Sequence, residues 1–201
     1  VCVENTSNLG GGACYSQDAL DEIAAVAKEN GCATHIDGAR IFNASIATGV
    51  DVARMCRDYD SVSICLSKGL GAPVGSVLVG SQEFINKAHR WRKMFGGGWR
   101  QAGVLAAACL HALDHHVERL AEDHARARKV AEAINAMDNF SVDLDAVQSN
   151  LVYVNCNIPA ADLVVSLAEY GIDMFDLPYN RVRVAIHLHI TDEDVDRIIA
   201  A

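Results

Sequence analysis

The chain has 201 residues, of which 51% are hydrophobic, and it carries a formal net charge of −9 with a pI near 5.2. The negative charge argues against a nucleic-acid or anionic-membrane partner, and no apolar run reaches the roughly 18 residues that a membrane span needs. Seven cysteines, an odd number without a Cys-x-x-Cys pair, predict reduced thiols in a cytoplasmic protein rather than a disulfide framework.

The first two thirds of the chain alternate between helical and extended patterns, which predicts a mainly parallel sheet with helices on its faces. A helix is predicted over 18–30, where Gly31 would end it. The further predicted elements are strands at 32–36, 62–66 and 76–79 and helices at 82–94 and 99–137. The last helix carries apolar residues at three-to-four spacing and is long enough to join two lobes.

Beyond residue 139 the pattern changes to that of a small α+β domain. The predicted elements are a strand at 151–154, a helix at 160–170, a strand at 183–186 and a helix from 192. The length allows one domain and part of another, at roughly 100–200 residues per domain. We therefore predict a large-domain portion over 1–105, a connecting helix over 106–137 and a small domain over 138–201.

A lone lysine ends the apolar, β-branched segment 61–66. Lys68 is followed by Gly69 and Gly71, which would let a ligand approach the backbone. A lysine at the mouth of a strand, between small residues, can act as an amine nucleophile. The alternative is a strand-terminal lysine that simply extends into solvent.

A second short strand ends upstream on Asp37-Gly38-Ala39-Arg40. Ligands of open α/β sheets lie beyond the carboxyl ends of the strands, which is where both Asp37 and Lys68 are predicted. Pyridoxal phosphate requires a lysine for covalent attachment and a carboxylate that faces its ring nitrogen. The two residues therefore predict a site for this cofactor. The alternatives are a turn or helix N-cap role for Asp37 and a surface ion pair for Arg40.

Three glycines at 96–98 precede the long predicted helix, and Arg100 falls in its first turn. Free backbone N–H groups and the helix dipole would favour an anion there, such as a phosphate. A flexible hinge between two helices is the alternative.

Period-two alternation places Arg181 and Arg183 on one side of a predicted strand, together with Ala185 and His187. A guanidinium binds a carboxylate through two parallel hydrogen bonds, so this face is a candidate carboxylate site. The alternative is a solvated strand face.

The eight histidines include His111 and His115 at a spacing of one helical turn. A zinc site needs three or four converging ligands, whereas this helix continues into charged residues typical of a solvated face, and we expect no metal. The glycines after Lys68 lack the dinucleotide-binding pattern, and the lysine precedes rather than follows them. Neither a Rossmann site nor a P-loop is predicted.

Together these segments resemble the low-specificity L-threonine aldolases, which are pyridoxal-phosphate enzymes of the aspartate-aminotransferase fold. The segments follow one another in family order across nearly the whole chain. They are Glu4-Asn5-Thr6 with Gly10-Gly11-Gly12, residues 35–44, residues 63–80, Arg90-Trp91-Arg92-Lys93-Met94 with the glycines up to Gln101, and Arg181-Val182-Arg183.

The resemblance implies an α/β chain that holds part of the large domain of a fold-type-I pyridoxal-phosphate enzyme, with a mainly parallel sheet, and a small C-terminal α+β domain. It implies that Lys68 and Asp37 are catalytic and bind the cofactor. Arg40, Ser67 and Arg100 would also bind the cofactor, with Ser67 and Arg100 near its phosphate. Arg40 and Arg183 would bind the substrate carboxylate. The implied protein is a homotetramer that cleaves L-threonine or L-allo-threonine to glycine and an aldehyde.

Members of this family begin well before the residue that corresponds to Val1. We therefore expect the phosphate loop, the ring-stacking histidine and the general base to lie outside this chain. Ser7 stands where many relatives have histidine, and Ala185-Ile186 replaces a Val-Thr pair. Two other functions stay open: another fold-type-I enzyme, such as an amino-acid β-lyase or an aminotransferase, and a cofactor-free chain that acts only in subunit association.

Overall fold

The computed structural model describes all 201 residues, which form two compact units. The first unit comprises Val1–Thr6 and Tyr15–Glu118, and the second comprises Ser7–Cys14 and Arg119–Ala201. The short segment Ser7–Cys14 therefore belongs with the C-terminal residues, although it lies near the beginning of the chain. None of the helices is both long and apolar enough to cross a membrane.

The first unit contains a four-stranded sheet in the order β1-β2-β3-β4. The strands are β1 (Cys2–Glu4), β2 (His35–Gly38), β3 (Ser61–Cys65) and β4 (Ser76–Gly80). β1, β2 and β3 are parallel, and β4 runs antiparallel to β3. The strand predicted at 32–36 begins later, because the N–H and hydroxyl of Thr34 donate to the Asp60 carboxylate at 2.7 and 3.1 Å.

Five helices accompany this sheet. They are α1 (Gln17–Glu29), α2 (Ile41–Thr48), α3 (Val52–Cys56), α4 (Gln82–Met94) and α5 (Gly103–His115). The Ser16 side chain caps α1 by accepting from the N–H of Ala19 at 3.2 Å. Leu20 of α1, Ile36 of β2 and Ile41 of α2 are fully buried, so the parallel strands are covered by apolar helix faces.

The single helix predicted over 99–137 is wrong. α5 ends at His115, and α6 (Leu120–Asn135) begins only after a break at residues 116–119. The His116 ring is bonded to the carbonyl of Leu70 in the first unit, whereas Arg119 pairs with the fully buried Asp123 in the second. The side chains on the two sides of the break are thus held in different units, and apolar spacing along a helix carries no sign of this.

The second unit contains an antiparallel sheet in the order β5-β6-β8-β7. Its strands are β5 (Phe140–Ser141), β6 (Leu151–Cys156), β7 (Phe175–Leu177) and β8 (Arg181–Ala185), and its further helices are α7 (Ala160–Ala168) and α8 (Asp192–Ala200). Val152, Val154, Val182 and Val184 form the buried face and share a core with Val130 of α6. The alternation predicted for β8 is present.

An ion pair joins α1 to α3. Arg54 donates to both carboxylate oxygens of Asp21, at 2.9 Å from Nη1 to Oδ1, and Gln17 donates to Oδ1 at 2.8 Å. The hydrogen bond from Arg54, followed by that from Gln17, lowers the pKa of Asp21 from 3.8 to about 2. A carboxylate with a lowered pKa stabilises the fold above its unfolded pKa, and this contribution disappears as the pH falls through the folded pKa.

We therefore expect Asp21→Asn to lower the free energy of unfolding at neutral pH and to flatten its decline between pH 4 and pH 2. Denaturant unfolding measured across this pH range tests the expectation. Glu22→Gln removes a neighbouring exposed carboxylate of the same helix and serves as the control. A decline in Asp21→Asn as steep as that of the native protein would show that Asp21 does not contribute to it.

Candidate active site

Asp37 lies near the C-terminal end of β2. Its register partners are Glu4 on β1 and Ser63 on β3. Its side chain is exposed, and Oδ1 accepts from the N–H of Ala39 at 3.0 Å. This contact to the second following residue fixes the carboxylate against the turn after the strand. The N-cap alternative is wrong, because Arg40 is the residue that precedes α2.

Lys68 lies in a closed loop after β3, which we call the lysine loop (residues 66–75). The N–H of Leu66 donates to the carbonyl of Gly75 at 3.0 Å, and that of Ala72 donates to the carbonyl of Leu66 at 2.9 Å. Inside the loop, the N–H of Gly71 donates to the Lys68 carbonyl at 2.9 Å, with Gly71 at φ 69°. The loop is therefore closed by backbone hydrogen bonds on both sides of the lysine.

The residues of the lysine loop differ in their exposure to solvent. Gly69 and Leu70 are buried, whereas Ser67 and Lys68 are exposed. None of the ion pairs of the structure involves Lys68. Its primary amine is thus accessible to a carbonyl compound.

The structure brings Asp37 and Lys68 to the same edge of one sheet, because β2 and β3 are adjacent and parallel. Arg40 follows Asp37 at the start of α2 and is half-buried, and Ser67 precedes Lys68. An accessible amine and an accessible carboxylate at one sheet edge fit a cofactor that needs covalent attachment and a partner for its ring nitrogen. The residues present therefore fit pyridoxal phosphate.

Arg100 lies outside this group of residues. α5 begins at Gly103, so Arg100 precedes the helix and is exposed, rather than lying in the first helical turn. The N–H groups of Gly96 and Gly97 donate to the carbonyls of Lys93 and Arg92 at 3.2 and 2.8 Å. The glycines therefore end α4 instead of forming an anion cradle. A phosphate contact of Arg100 stays a prediction.

Arg183 belongs to the second unit, on the sheet face opposite the apolar core. Its register partners are Tyr153 on β6 and Phe175 on β7. Nη1 of Arg183 donates to Oδ1 of Asn8 at 3.0 Å, and the Tyr153 hydroxyl lies 3.4 Å from the same oxygen. The guanidinium of Arg183 thus bonds to a neutral amide and takes part in no ion pair, so its charge is available to an anionic ligand.

The contact between Asn8 and Arg183 was not predicted from the sequence. Asn8 lies in Ser7–Cys14, which is fixed to the second unit by a bond of 2.8 Å from the Ser149 hydroxyl to the Gly12 carbonyl. A further bond of 2.9 Å joins the N–H of Cys14 to the side chain of Gln148. The Asn8–Arg183 pair is separated by 175 positions along the chain, so that no local pattern could indicate it.

The histidine pair of α5 is close in space, with ring centroids of His111 and His115 4.4 Å apart. No group of three or more His, Cys, Asp or Glu side chains has an arrangement that could hold a metal ion.

His35 lies at the start of β2, where Nδ1 is 2.9 Å from the Ser61 hydroxyl. It is therefore at the strand end opposite to that of Asp37.

The sequence model of the beta-eliminating lyases matches residues 1–157. The chain belongs to the beta-eliminating lyase family. Within it, the chain is 46% identical over 199 residues to low-specificity L-threonine aldolase 1 of Arabidopsis thaliana, with 97% of this chain and 56% of the relative covered. It is 39% identical over 203 residues to the low-specificity L-threonine aldolase of Escherichia coli, with 100% and 58% covered. The predicted resemblance is confirmed, and the chain spans a little over half the length of these two relatives.

Solved structures agree on the fold of this beta-eliminating lyase chain. A threonine aldolase of Leishmania major superposes with a TM-score of 0.79 at 18% identity, covering 99% of this chain and 58% of the other. A pyridoxal-phosphate-dependent aminotransferase of Streptococcus suis superposes with a TM-score of 0.75 at 16% identity, covering 99% and 55%. At such identities the likeness concerns the fold alone, and the predicted fold-type-I class is confirmed.

Proposed function

We propose that this chain carries the lysine-bearing part of a pyridoxal-phosphate-dependent aldolase that cleaves L-threonine or L-allo-threonine to glycine and acetaldehyde. The observation that carries the proposal is the accessible amine of Lys68 beside the Asp37 strand end, in a chain 46% and 39% identical to low-specificity L-threonine aldolases. The overall reaction breaks the Cα–Cβ bond, moves the proton of the β-hydroxyl to a base and returns one proton to Cα.

Lys68 would hold the cofactor through Nζ and release it to the amine of the substrate. The cofactor, when bound, supplies an electron sink for the pair that the broken Cα–Cβ bond leaves on Cα. Asp37 would keep a ring nitrogen protonated, and its bond to the Ala39 N–H holds the carboxylate in one orientation. A carboxylate that is already held in place does not have to reorient during the reaction. This preorganisation is the main way in which such a residue lowers the activation barrier.

Arg183, assisted by Arg40, would bind the substrate carboxylate and so fix the direction of the bond that breaks. The amide of Asn8 accepts one guanidinium hydrogen bond at 3.0 Å and leaves other donors of the planar fork for a ligand. We do not assign His35 as the base that takes the hydroxyl proton, because it lies at the start of β2 against Ser61.

A homo-oligomer is part of the proposal. Large apolar side chains are exposed along β4, α4 and the start of α5, among them Leu78 (40%), Phe95 (82%) and Val104 (79%). Extended apolar surface of this kind is typical of a protein interaction site. It supports the homotetramer that the resemblance implies.

Product analysis tests the proposed function. The full-length protein that contains this chain, supplied with pyridoxal phosphate, should convert L-threonine or L-allo-threonine to glycine and acetaldehyde in equal amounts, and its Lys68→Ala variant should not. Release of ammonia with a 2-oxo acid would indicate a β-lyase instead. Transfer of the amino group to an added 2-oxo acid, without glycine, would indicate an aminotransferase. No covalent attachment of the cofactor at all would favour a chain that acts only in subunit association.

Loss of the Arg183 guanidinium should weaken substrate binding more than cofactor binding. A charge-assisted hydrogen-bonded pair contributes about 1.5–3 kcal/mol, so we expect Arg183→Ala to raise the KM for threonine about tenfold to a hundredfold. Arg183→Lys should restore only part of this, because an ammonium lacks the planar fork. Steady-state kinetics and a cofactor titration measure the two effects separately.

Arg181→Ala is the matched control for this experiment. Arg181 lies on the same face of β8, and its guanidinium stands over the rings of Tyr153 and Tyr179 at 5.6 and 5.7 Å. We expect the KM of Arg181→Ala for threonine to stay near that of the native protein. An unchanged KM in Arg183→Ala would show that another group binds the carboxylate.

A further inference from the structure

The residue that follows α5, His116, contacts the lysine loop. Nδ1 of His116 lies 2.7 Å from the carbonyl oxygen of Leu70, a contact between residues 46 positions apart. A second and weaker contact of the same helix joins the Cys109 thiol to the carbonyl of Val74 at 3.7 Å. Cys109, His116 and the entire loop belong to the first unit.

The carbonyl of Leu70 needs the hydrogen bond from His116. Leu70 is only 3% exposed and follows Gly69 in the turn that the bond from Gly71 to Lys68 closes. A buried carbonyl without a hydrogen bond is costly, and no backbone bond to this oxygen occurs inside the loop. His116 therefore supplies the buried Leu70 carbonyl with a hydrogen bond.

The orientation of the imidazole is itself restrained. A carbonyl only accepts hydrogen bonds, so Nδ1 of His116 must carry the proton that it donates. The ring of His111 packs edge-on against it, with ring centroids 5.4 Å apart. Half-burial and this ring contact leave the side chain little freedom to turn away from the loop.

We propose that His116 is a positioning residue for Lys68. By bonding to Leu70 it fixes the turn that begins at Lys68, and so fixes the direction in which the amine leaves the sheet edge. The inference rests on the proposed function, in which Lys68 is the site of cofactor attachment. It adds His116, which follows α5, to the residues on which attachment at Lys68 depends.

The test compares three substitutions of His116. His116→Leu keeps much of the bulk and removes the donor. His116→Asn places an amide N–H near the position of Nδ1, whereas His116→Gln places it one methylene farther away. His115→Leu, at an exposed neighbour outside the loop contact, is the matched control.

Two measurements are made on the protein freed of cofactor. The first is the rate at which added pyridoxal phosphate becomes attached at Lys68, followed by borohydride reduction and mass spectrometry. The second is amide hydrogen exchange at Gly71 and Ala72, whose N–H groups close the lysine loop, with amides of β2 as the reference for global folding.

We expect His116→Leu and His116→Gln to slow attachment about tenfold to a hundredfold and to speed exchange in the loop but not in β2. His116→Asn should recover most of both, and His115→Leu should match the native protein. If His116→Leu does not fold, the contrast between the asparagine and glutamine variants decides. Faster exchange with native attachment, or no difference between asparagine and glutamine, would overturn the inference. Failure of the native protein to attach cofactor at Lys68 would instead overturn the proposed function.

Discussion

In the full-length protein that contains this chain, Lys68→Ala should abolish the covalent attachment of pyridoxal phosphate. Attachment requires a primary amine, and Lys68 presents one from an exposed position at the start of a turn that the Gly71–Lys68 backbone hydrogen bond closes. Alanine removes the amine and leaves the Gly71–Lys68 backbone bond intact, so the loop should keep its shape. The measurement is borohydride reduction in the presence of cofactor, followed by mass spectrometry of the peptides.

Lys93→Ala provides the control for this result, since Lys93 is an exposed lysine near the end of α4. The Lys93→Ala variant should carry the cofactor on Lys68 to the same extent as the native protein. Cofactor found on Lys28, Lys87, Lys93 or Lys129 of the native protein would mean that the attachment site is elsewhere.

Asp37→Ala should slow the cleavage of threonine by about three orders of magnitude while attachment at Lys68 persists. The carboxylate is needed only when negative charge develops on the substrate, so its removal should separate chemistry from binding. Attachment is measured by absorbance and mass spectrometry, and turnover by the release of glycine.

Asp37→Asn separates the contribution of the negative charge of Asp37 from that of its hydrogen bond to the following turn. An asparagine can still accept the hydrogen bond that Ala39 donates at 3.0 Å, but it carries no charge. We expect it to be nearly as slow as Asp37→Ala. Turnover near the native rate in the asparagine variant would mean that Asp37 acts through the turn, and native turnover in both variants would mean that it does not face the ring nitrogen.

Local patterns predicted those features of the first unit that depend on neighbours in sequence. β3 and β4 lie within a residue or so of the predicted strands, and Lys68 follows the end of β3, as predicted. The placement of Asp37 and Lys68 at one edge follows from the parallel pairing of β2 and β3. Alternating elements predict such pairing, because a crossover helix returns the chain to the same end of the sheet.

Contacts between distant residues decided what the sequence could not predict. The break between α5 and α6 depends on where His116 and Arg119 are bonded, and neither partner is recognisable from helical periodicity. The glycines at 96–98 looked like the beginning of a helix, but their N–H groups complete the end of the preceding one. In both cases the residue types were compatible with two local structures. A contact between distant residues selected the break after α5, whereas local backbone hydrogen bonds selected the helix end at the glycines.

The assignment of Ser7–Cys14 to the second unit has a consequence for the order of events during synthesis. This segment leaves the ribosome before its partners, since Gly12 receives its hydrogen bond from Ser149, 137 positions later, and Asn8 receives its own from Arg183, 175 positions later. The entropy of closing such long loops rises only slowly with their length, so the final fold tolerates the arrangement. The bond from Arg183 to Asn8, however, cannot form until β8 has been made, and contacts of such high sequence separation are the ones that slow folding.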